Sequence, residues 1–417
     1  MTATIPPLTV PGDKSIAHRV LLLAALARGD SRLRNVPAGL DVRSTQRALR
    51  ALGVRIDEDG HELVVRGSGG ALVAPDTPID CGNSGTTIRL LAGVLATRAL
   101  AVTLDGDGSL RARPMRRIAA PLEAFGAEIA LAPGGTAPFV VRGNGESSGA
   151  EVEIVVPSAQ VKSAVLFAAL NAHGMTRLRG QLATRDHTER LFLAFGVQCE
   201  SDGETIVVDG PQVPRAADFD VPGDVSSAAF LLAAAAVVPG ARAVVDDVGL
   251  NPTRTAFLDV LRRFGAEVDV TPAGFAHEPR GRIAVRGAAL SAITVEPAEV
   301  PGLIDELPLV GVLGAFARGT TVVSGASELR VKESDRIETF ARAARALGID
   351  VETFEDGFAV HGPAKLHAGA IETKGDHRIA MAFAVAGRAA GVDVRLDDPD
   401  CVAVSFPGFA GALEHVA

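Results

Sequence analysis

The sequence predicts an α/β protein in which six βαβ-like units are divided between two domains, three in each. Three observations support this prediction. An apolar stretch of helical length recurs six times along the 417 residues, each stretch begins with small, polar or charged residues, and each is followed by a turn and a strand-like run. The starts lie roughly 65 to 80 residues apart, a spacing that is longer than the common solenoid repeats but regular.

The first helix of each unit is predicted from the apolar stretches. Stretches such as VLLLAALA, IRLLAGVLA and AAFLLAAAAVV are apolar on nearly every side, a pattern typical of helices that are buried all round. The polar segments that introduce the six helices begin at Gly12, Gly82, Ser158, Gly223, Asp305 and Gly375.

A strand and a second helix follow in most units. The strand-like runs include SRLRNV and TTVVSGA, and the second, amphipathic helix ends in a shared phrase such as RALRALGV, APLEAFGAEI or DVLRRFGAEV. The glycine in this phrase suits the position just past a helix end, where a positive φ is needed. A further strand then resumes, which completes the unit.

The domain boundary is predicted where the fourth unit begins, close to Val221–Gly223. We expect residues 13–221 to form the N-terminal domain. Residues 1–12 precede the first unit, and we expect them to join residues 222–417 in the C-terminal domain.

Composition narrows the classes of function. The formal net charge of −9 argues against nucleic acid as a partner, although a local cationic site can coexist with an acidic exterior. The longest apolar run, 228–238, is too short to cross a bilayer, and neither a signal peptide nor a cysteine pair is evident. We therefore expect a cytoplasmic protein. The histidines show no metal-ligand spacing, so no metal site is predicted.

The six helix starts carry much of the unusual chemistry. A helix N-terminus offers unpaired N–H groups and a positive dipole, so it favours anions. Three of the five lysines, Lys14, Lys162 and Lys332, lie in or beside these starts. If the starts converge within each domain, the two faces would form a cleft for a small polyanion.

Each start also has a simpler explanation when it is taken alone. The segment 83–86 could be a turn followed by an N-cap, and the charged segment 332–336 could be a solvated helix start. The occurrence of such segments at the starts of repeated units favours binding over coincidence.

The phrases PGDKSIAHR, CGNSGTTIR, SLRARP, PSAQVKSA, GDVSSAAF, IDELP, RVKESDRI and KGDHRIAMAF occur in this order across nearly the whole chain. In this combination the chain resembles the enolpyruvyl transferase family, and most closely the branch that acts on shikimate 3-phosphate. The resemblance implies two domains of three βαβαββ repeats with the active site in the inter-domain cleft. It also implies a monomer that takes phosphoenolpyruvate and shikimate 3-phosphate and needs no cofactor.

The resemblance assigns substrate-binding residues by motif. For shikimate 3-phosphate it implies Lys14, Ser15, Arg19, Ser158, Ala159, Gln160, Arg185, Asp305 and Lys332. For phosphoenolpyruvate it implies Lys14, Asn83, Gly85, Thr86, Arg113, Gln160, Arg336, His377 and Arg378. Arginine suits these anions because its planar fork matches carboxylate and phosphate groups.

The resemblance also implies catalytic roles. Asp305 would accept the proton of the shikimate 5-hydroxyl, Glu333 would donate a proton to the phosphoenolpyruvate methylene, and Lys14 would contact both substrates. An attacking hydroxyl and a carbon that gains a proton require a base and an acid on opposite sides of the reacting centre.

This chain departs from the family pattern at several positions. Val404 stands where some members have lysine, Ala159 replaces a serine, and Arg185 matches a tyrosine of many members. Gly85 matches the small residue of members that glyphosate inhibits, so inhibition is expected, although Leu90 replaces a proline of some relatives.

Two alternative functions remain open at this point. One is transfer of the same group to UDP-N-acetylglucosamine, but that enzyme carries a reactive cysteine in a stretch where this chain, at 106–113, has none. The other is a non-catalytic anion-binding repeat protein, which predicts the loss of catalytic residues that this chain retains.

Overall fold

The computed structural model describes residues 6–275 and 277–416, and their packing forms two compact units. The N-terminal unit is Gly12–Val221. The C-terminal unit combines the described residues up to Pro11 with those from Pro222 onward. Within the described ranges, no helix has both the length and the apolarity needed to cross a membrane.

The N-terminal unit alternates helices and short strands. Its helices are α1 (Lys14–Leu26), α2 (Leu40–Ala51), α3 (Gly85–Ala96), α4 (Gly108–Arg111), α5 (Arg116–Glu123), α6 (Ala159–Ala169) and α7 (His187–Ala194). Its strands are β1 (Arg28–Arg34), β2 (Arg55–Asp59), β3 (Glu62–Ser68), β4 (Ile79–Asp80), β5 (Ala101–Asp105), β6 (Glu128–Ala132), β7 (Thr136–Arg142), β8 (Glu151–Ile154), β9 (Gly174–Gly180), β10 (Glu200–Ser201), β11 (Ile206–Gly210) and β12 (Phe219–Asp220).

These strands form three four-stranded sheets, with the orders β12-β1-β3-β2, β4-β5-β7-β6 and β10-β11-β9-β8. Strands β4 and β5 pair in parallel on either side of α3, and β8 and β9 do so on either side of α6. The last strand, β12, returns to pair in parallel with β1. The predicted βαβ units are therefore confirmed.

Three apolar helices, α1, α3 and α6, form the centre of the N-terminal core. Helices α3 and α6 approach so closely at Gly93 that a Cβ atom there would lie 2.1 Å from the carbonyl oxygen of Ala164. Only glycine permits this approach, because any side chain would collide with backbone. The repeated apolar stretches thus serve helix-on-helix packing inside the unit.

The C-terminal unit repeats this arrangement. Its helices are α8 (Val225–Ala236), α9 (Ala256–Phe264), α10 (Val300–Leu303), α11 (Leu307–Phe316), α12 (Arg336–Ala346), α13 (His377–Ala390) and α14 (Phe409–Glu414), with 3₁₀ turns at Ser327–Val331 and Pro399–Val404. Its strands are β13 (Arg242–Gly249), β14 (Glu267–Phe275), β15 (Pro279–Arg286), β16 (Thr294–Val295), β17 (Gly319–Val323), β18 (Asp350–Phe354), β19 (Gly357–Gly362), β20 (Gly369–Ile371) and β21 (Val394–Leu396).

The sheets of this unit have the orders β13-β15-β14, β16-β17-β19-β18 and β20-β21. Strands β16 and β17 are parallel across α11, and β20 and β21 are parallel across α13. Leu8, from the beginning of the chain, forms a parallel bridge with Val245 in β13. The core of this unit is built on the buried helices α8, α11 and α13.

The predicted glycines at the ends of the second helices are confirmed. Helices α2, α5, α7, α9 and α12 are each followed within a few residues by a glycine with φ between 69° and 110°, at Gly53, Gly126, Gly196, Gly265 and Gly348. A side chain at these positions would be strained, so the phrase seen in the sequence marks a left-handed helix end.

Candidate active site

The buried helices begin at the predicted polar segments. Five of them are capped by a side chain that accepts a hydrogen bond from a backbone N–H in the first turn, and these caps are Asp13, Ser84, Ser158, Asp224 and Asp376. The remaining helix, α11, begins after Glu306 without such a bond. Capping leaves other N–H groups of the first turn available, which is the basis of anion binding at helix starts.

At the start of α1, Lys14 and Ser15 are held by residues from distant parts of the N-terminal unit. Lys14 Nζ lies 2.9 Å from a carboxylate oxygen of Asp41 on α2. Arg185, which precedes α7, donates from Nη1 to the hydroxyl of Ser15 at 3.4 Å. The structure thus brings together three of the residues assigned to shikimate 3-phosphate.

Arg19 is directed into the protein. Its side chain is buried, and it donates to the hydroxyls of Thr188 and Ser163 at 2.8 and 2.7 Å and to the backbone oxygen of Ser15 at 2.7 Å. These contacts join α1, α6 and α7. The geometry therefore gives Arg19 a part in positioning Ser15, in addition to the ligand contact that its motif implies.

The starts of α3 and α6 are joined through Gln160. Its amide nitrogen donates to Thr86 Oγ1 at 2.9 Å, and its amide oxygen accepts a hydrogen bond from Arg89. A Cβ atom on Gly85 would lie 3.1 Å from Nη1 of both Arg89 and Arg113. Glycine at this position therefore lets two guanidinium groups approach the first turn of α3.

Arg113 reaches the same segment from beyond α4. Its Nη2 donates to the amide oxygen of Asn83 at 2.5 Å and to the Ser109 hydroxyl at 3.2 Å. Asn83, Gly85, Thr86, Gln160 and Arg113 therefore form one group. These are the residues of the N-terminal unit, apart from Lys14, that the motifs assign to phosphoenolpyruvate.

Ser158 and Lys162, both near the start of α6, have different roles. Ser158 accepts from the N–H of Val161 at 3.4 Å as the helix cap, and Ala159 is the first residue of the helix. Lys162, one turn later, is buried and pairs with Glu189 on α7 at 2.6 Å, and it also donates to the carbonyl oxygen of Leu182. This lysine therefore holds α6 against α7, and it does not join the cations of the site.

A buried polar chain crosses the N-terminal unit beneath these helix starts. His18 Nδ1 lies 2.7 Å from the hydroxyl of Thr45, which lies 2.7 Å from that of Thr87, and Thr87 bonds the capping Ser84. Burial, and then the charges of Lys14 and Arg19, hold the pKa of His18 well below its usual value. A neutral imidazole thus helps to link α1, α2 and α3.

In the C-terminal unit the central feature is Arg336, the first residue of α12. Its Nη1 is 3.4 Å from Asp305, its Nη2 is 2.6 Å from Glu333 and its Nε is 2.9 Å from Asp376. The Arg336 side chain is 1% exposed. Burial acts to lower its pKa, but the charges of Asp376, Glu333 and Asp305 prevail and raise that pKa above the usual value.

Lys332 lies beside this cluster and is half-buried. Its pKa is lowered, first by desolvation and also by the charge of Arg336, while Asp305 acts in the opposite direction. The two predicted catalytic carboxylates thus share one buried arginine and lie near a lysine that loses its proton more readily than a solvated one.

The start of α13 contributes the last predicted residues. Asp376 caps the helix by accepting from the backbone N–H of Arg378 at 2.9 Å, while its other oxygen receives Arg336. The guanidinium of Arg378 lies 5.8 Å from the centre of the Phe230 ring on α8, within the range of a cation–π contact. His377 is the buried first residue of α13.

Asp41, Arg89 and Asp376 contact predicted site residues, although the motifs assign none of them to a substrate. Asp376 is the cap of α13, and the capping pattern in the sequence gives no sign that its second oxygen serves Arg336. Asp41 lies on α2, outside any repeated polar segment. The departure at Val404 falls at the end of the second 3₁₀ turn.

The fold and the clustered cations and carboxylates define the class of the protein as an enolpyruvyl transferase. The structure of EPSP synthase from Acinetobacter baumannii is similar over 99% of this chain and 95% of that chain, with a TM-score of 0.85 and 38% identity. The enolpyruvyl transferase NikO from Streptomyces tendae shares the fold at a TM-score of 0.80, with 19% identity over 99% of this chain and 94% of that chain.

Sequence comparison makes the assignment more specific. A family model described as EPSP synthase (3-phosphoshikimate 1-carboxyvinyltransferase) matches residues 5–413. Relatives with the latter name include one from Akkermansia muciniphila, 46% identical over 96% of this chain and 95% of its own length, and one from Bacillus velezensis, 44% identical over 98% and 96%. The chain belongs to the EPSP synthase family.

Proposed function

We propose that this chain transfers the carboxyvinyl group of phosphoenolpyruvate to the 5-hydroxyl of shikimate 3-phosphate and releases phosphate. The observation that carries the proposal is the pair of carboxylates, Asp305 and Glu333, held 3.4 and 2.6 Å from the same buried guanidinium, that of Arg336. In this proposal Asp305 as the base and Glu333 as the acid would flank a cation that suits the carboxylate or phosphate of phosphoenolpyruvate.

The N-terminal unit supplies most of the substrate anchoring. Lys14, Ser15 and Arg185 form a cationic, hydrogen-bonding group suited to the phosphate of shikimate 3-phosphate. Ser158, Ala159 and Gln160 would contact the same substrate from the start of α6. The group that contains Gly85 and Arg113 would hold phosphoenolpyruvate. Dense cationic anchoring offsets the mutual repulsion of two anions and orients them for reaction.

The first chemical step is an addition. Asp305 takes the proton of the 5-hydroxyl as that oxygen bonds to C2 of phosphoenolpyruvate. Glu333, in its protonated form, gives a proton to C3. The product is a tetrahedral intermediate with a methyl group. Lys332 lies beside both carboxylates and would stabilise the charge that changes there.

The second step is an elimination. The C2–O bond to phosphate breaks as Asp305 passes the proton it took from the 5-hydroxyl to the departing phosphate. C3 loses a proton, and the double bond re-forms between C2 and C3. We propose that Glu333 receives this proton, which restores its starting state. Arg336, Arg378 and His377 of the C-terminal unit would stabilise the departing phosphate.

The same resemblance supports two further expectations, a monomer and a cytoplasmic location. Size-exclusion chromatography with light scattering tests the first, and a dimer at micromolar concentration would contradict it.

The direct test of the reaction is colorimetric phosphate release from phosphoenolpyruvate, with shikimate 3-phosphate and UDP-N-acetylglucosamine as alternative acceptors. Release with shikimate 3-phosphate alone is expected. Release with the sugar nucleotide alone would overturn the acceptor while keeping the transfer chemistry. Release with neither would favour a non-catalytic protein.

A further inference from the structure

A second buried polar network lies next to the proposed base in the C-terminal unit. Arg254 donates from Nη2 to the hydroxyl of Ser226 at 2.8 Å and to a carboxylate oxygen of Asp224 at 3.2 Å. The Ser226 hydroxyl in turn donates to a carboxylate oxygen of Glu306. The chain of contacts thus runs from the loop before α9, through the start of α8, to the start of α11.

Burial makes this network costly to keep. Relative exposure is 3% for Arg254, 4% for Asp224, 0% for Ser226 and 2% for Glu306. Buried ionic groups seldom add net stability compared with well-packed apolar residues, because desolvation offsets their attraction. Stability alone therefore does not explain why this protein keeps two carboxylates and one guanidinium buried away from water.

The backbone of Glu306 is fixed as firmly as its side chain. Its N–H donates to the carbonyl of Leu303 at 2.8 Å, and its carbonyl accepts from Leu309 and Val310 at 2.9 and 3.0 Å. Glu306 therefore cannot turn without breaking contacts with both the end of α10 and the first turn of α11.

The residue before Glu306 is Asp305. Its side chain is 19% exposed and lies 3.4 Å from Nη1 of Arg336. Adjacent residues at this turn point to different surroundings, since Glu306 meets Ser226 on α8 whereas Asp305 meets Arg336 on α12. Holding Glu306 inward thus limits the directions in which the Asp305 carboxylate can project.

We propose that Arg254, Ser226 and Glu306 are positioning residues for Asp305. They contact neither substrate in this proposal. They fix the turn at the start of α11, so that the Asp305 carboxylate meets the hydroxyl from which it removes a proton. The inference rests on the proposed role of Asp305 as the base.

The experiment compares kcat and KM for Arg254→Met, Arg254→Lys and Ser226→Ala in the full chain. A misplacement of about 1 Å at a reacting group costs on the order of 100-fold in rate. We expect Arg254→Met and Ser226→Ala to lower kcat at least tenfold, with both KM values within twofold of the parent. Arg254→Lys keeps the charge and one donor, so it should regain much of the loss.

The matched control is Thr321→Val. Thr321 lies on β17 of the same unit, and its buried hydroxyl has no hydrogen-bond partner within the part of the chain that the structure describes. This variant also removes a buried hydroxyl, but one that lies against Gly314 in the last part of α11 and not at the start of that helix, so its kcat should be unchanged. If Arg254→Met does not fold, Ser226→Ala, which removes a single oxygen, decides the question.

Asp305→Asn separates the two levels of the proposal. If it retains turnover, the base is wrongly assigned, whatever the network variants do. If it is inactive while Ser226→Ala and Arg254→Met keep the parent kcat, the positioning inference is overturned. Raised KM values at constant kcat, or equal losses in the methionine and lysine variants, would also overturn it.

Discussion

Replacing Lys162 with methionine should lower the free energy of unfolding without weakening substrate binding. Lys162 Nζ lies 2.6 Å from Glu189, and the two side chains are 2% and 14% exposed. It also donates to the carbonyl oxygens of Leu182 and Thr184 at 3.3 and 3.4 Å. The change would leave the largely buried carboxylate of Glu189 without its ion-pair partner and the two carbonyl oxygens without this donor.

The magnitude follows from this burial. Breaking a buried ion pair by removing one partner costs about 3–5 kcal/mol. For a unit of this size, each kcal/mol lowers Tm by about 2–4 °C, so a fall of roughly 6–20 °C is expected. Removing both charges, in Lys162→Met with Glu189→Leu, should restore most of the stability because no unpaired charge remains.

Far-UV circular dichroism is the suitable assay, because the chain has no tryptophan or tyrosine to report unfolding by fluorescence. At a temperature where Lys162→Met is folded, both KM values should lie within twofold of the parent. A loss below about 1 kcal/mol, or a double variant no more stable than the single one, would refute the reasoning from burial. A large rise in KM would show that Lys162 contributes to substrate binding.

Three more predictions concern the helix starts. Gly85→Ala places a methyl group 3.1 Å from Nη1 of Arg113. It should raise KM for phosphoenolpyruvate roughly 10- to 150-fold, because one displaced charge-assisted hydrogen bond costs about 1.5–3 kcal/mol. It should also weaken inhibition by glyphosate, and an unchanged KM would contradict the prediction. Because the pKa of Lys332 is lowered, its ammonium is lost as the pH rises, at a pH below the usual lysine range. If the ammonium is required, kcat should decline over that range, and Lys332→Arg should remove the decline. A pH–rate profile of the two proteins tests this, and the same decline in both would contradict it. The pKa of His18 is also lowered in the folded chain. As the pH drops below about 6.5, this histidine is therefore protonated in the unfolded chain before it is in the folded one, and stability should fall. The Tm of His18→Asn should fall less steeply with decreasing pH, and equal slopes of Tm against pH in the two proteins would count against the prediction.

The repeat could be predicted from the sequence because its apolar stretches, polar segments and glycines all indicate the same helix positions. The apolar stretches are buried helices, the polar segments are their starts, and the glycine of the shared phrase has a positive φ after α2, α5, α7, α9 and α12. Local chemistry decides all of these features. Short-range pattern is therefore sufficient for the units, their helix ends and the residues grouped at the helix starts.

Side-chain pairing could not be predicted in the same way. Lys14 and Lys162 each precede a serine near the start of an apolar helix. Lys162 nevertheless pairs with Glu189 inside the unit, whereas Lys14 pairs with Asp41 at a helix start. Which side of a helix faces a neighbouring element depends on packing between distant segments. Arg254 and Glu306 are likewise 52 positions apart in sequence and meet through Ser226 only in the folded unit.

The measurement that tests the central claim most directly is the turnover of Asp305→Asn and Glu333→Gln, set beside calorimetric binding of shikimate 3-phosphate. If these carboxylates are the base and the acid, each variant should lose on the order of 100-fold or more in kcat. The motifs do not assign Glu333 to shikimate 3-phosphate, so the affinity of Glu333→Gln for that substrate should stay within about threefold of the parent. Phosphate release within a few-fold of the parent in both variants would show that the two carboxylates around Arg336 do not carry out the proton transfers.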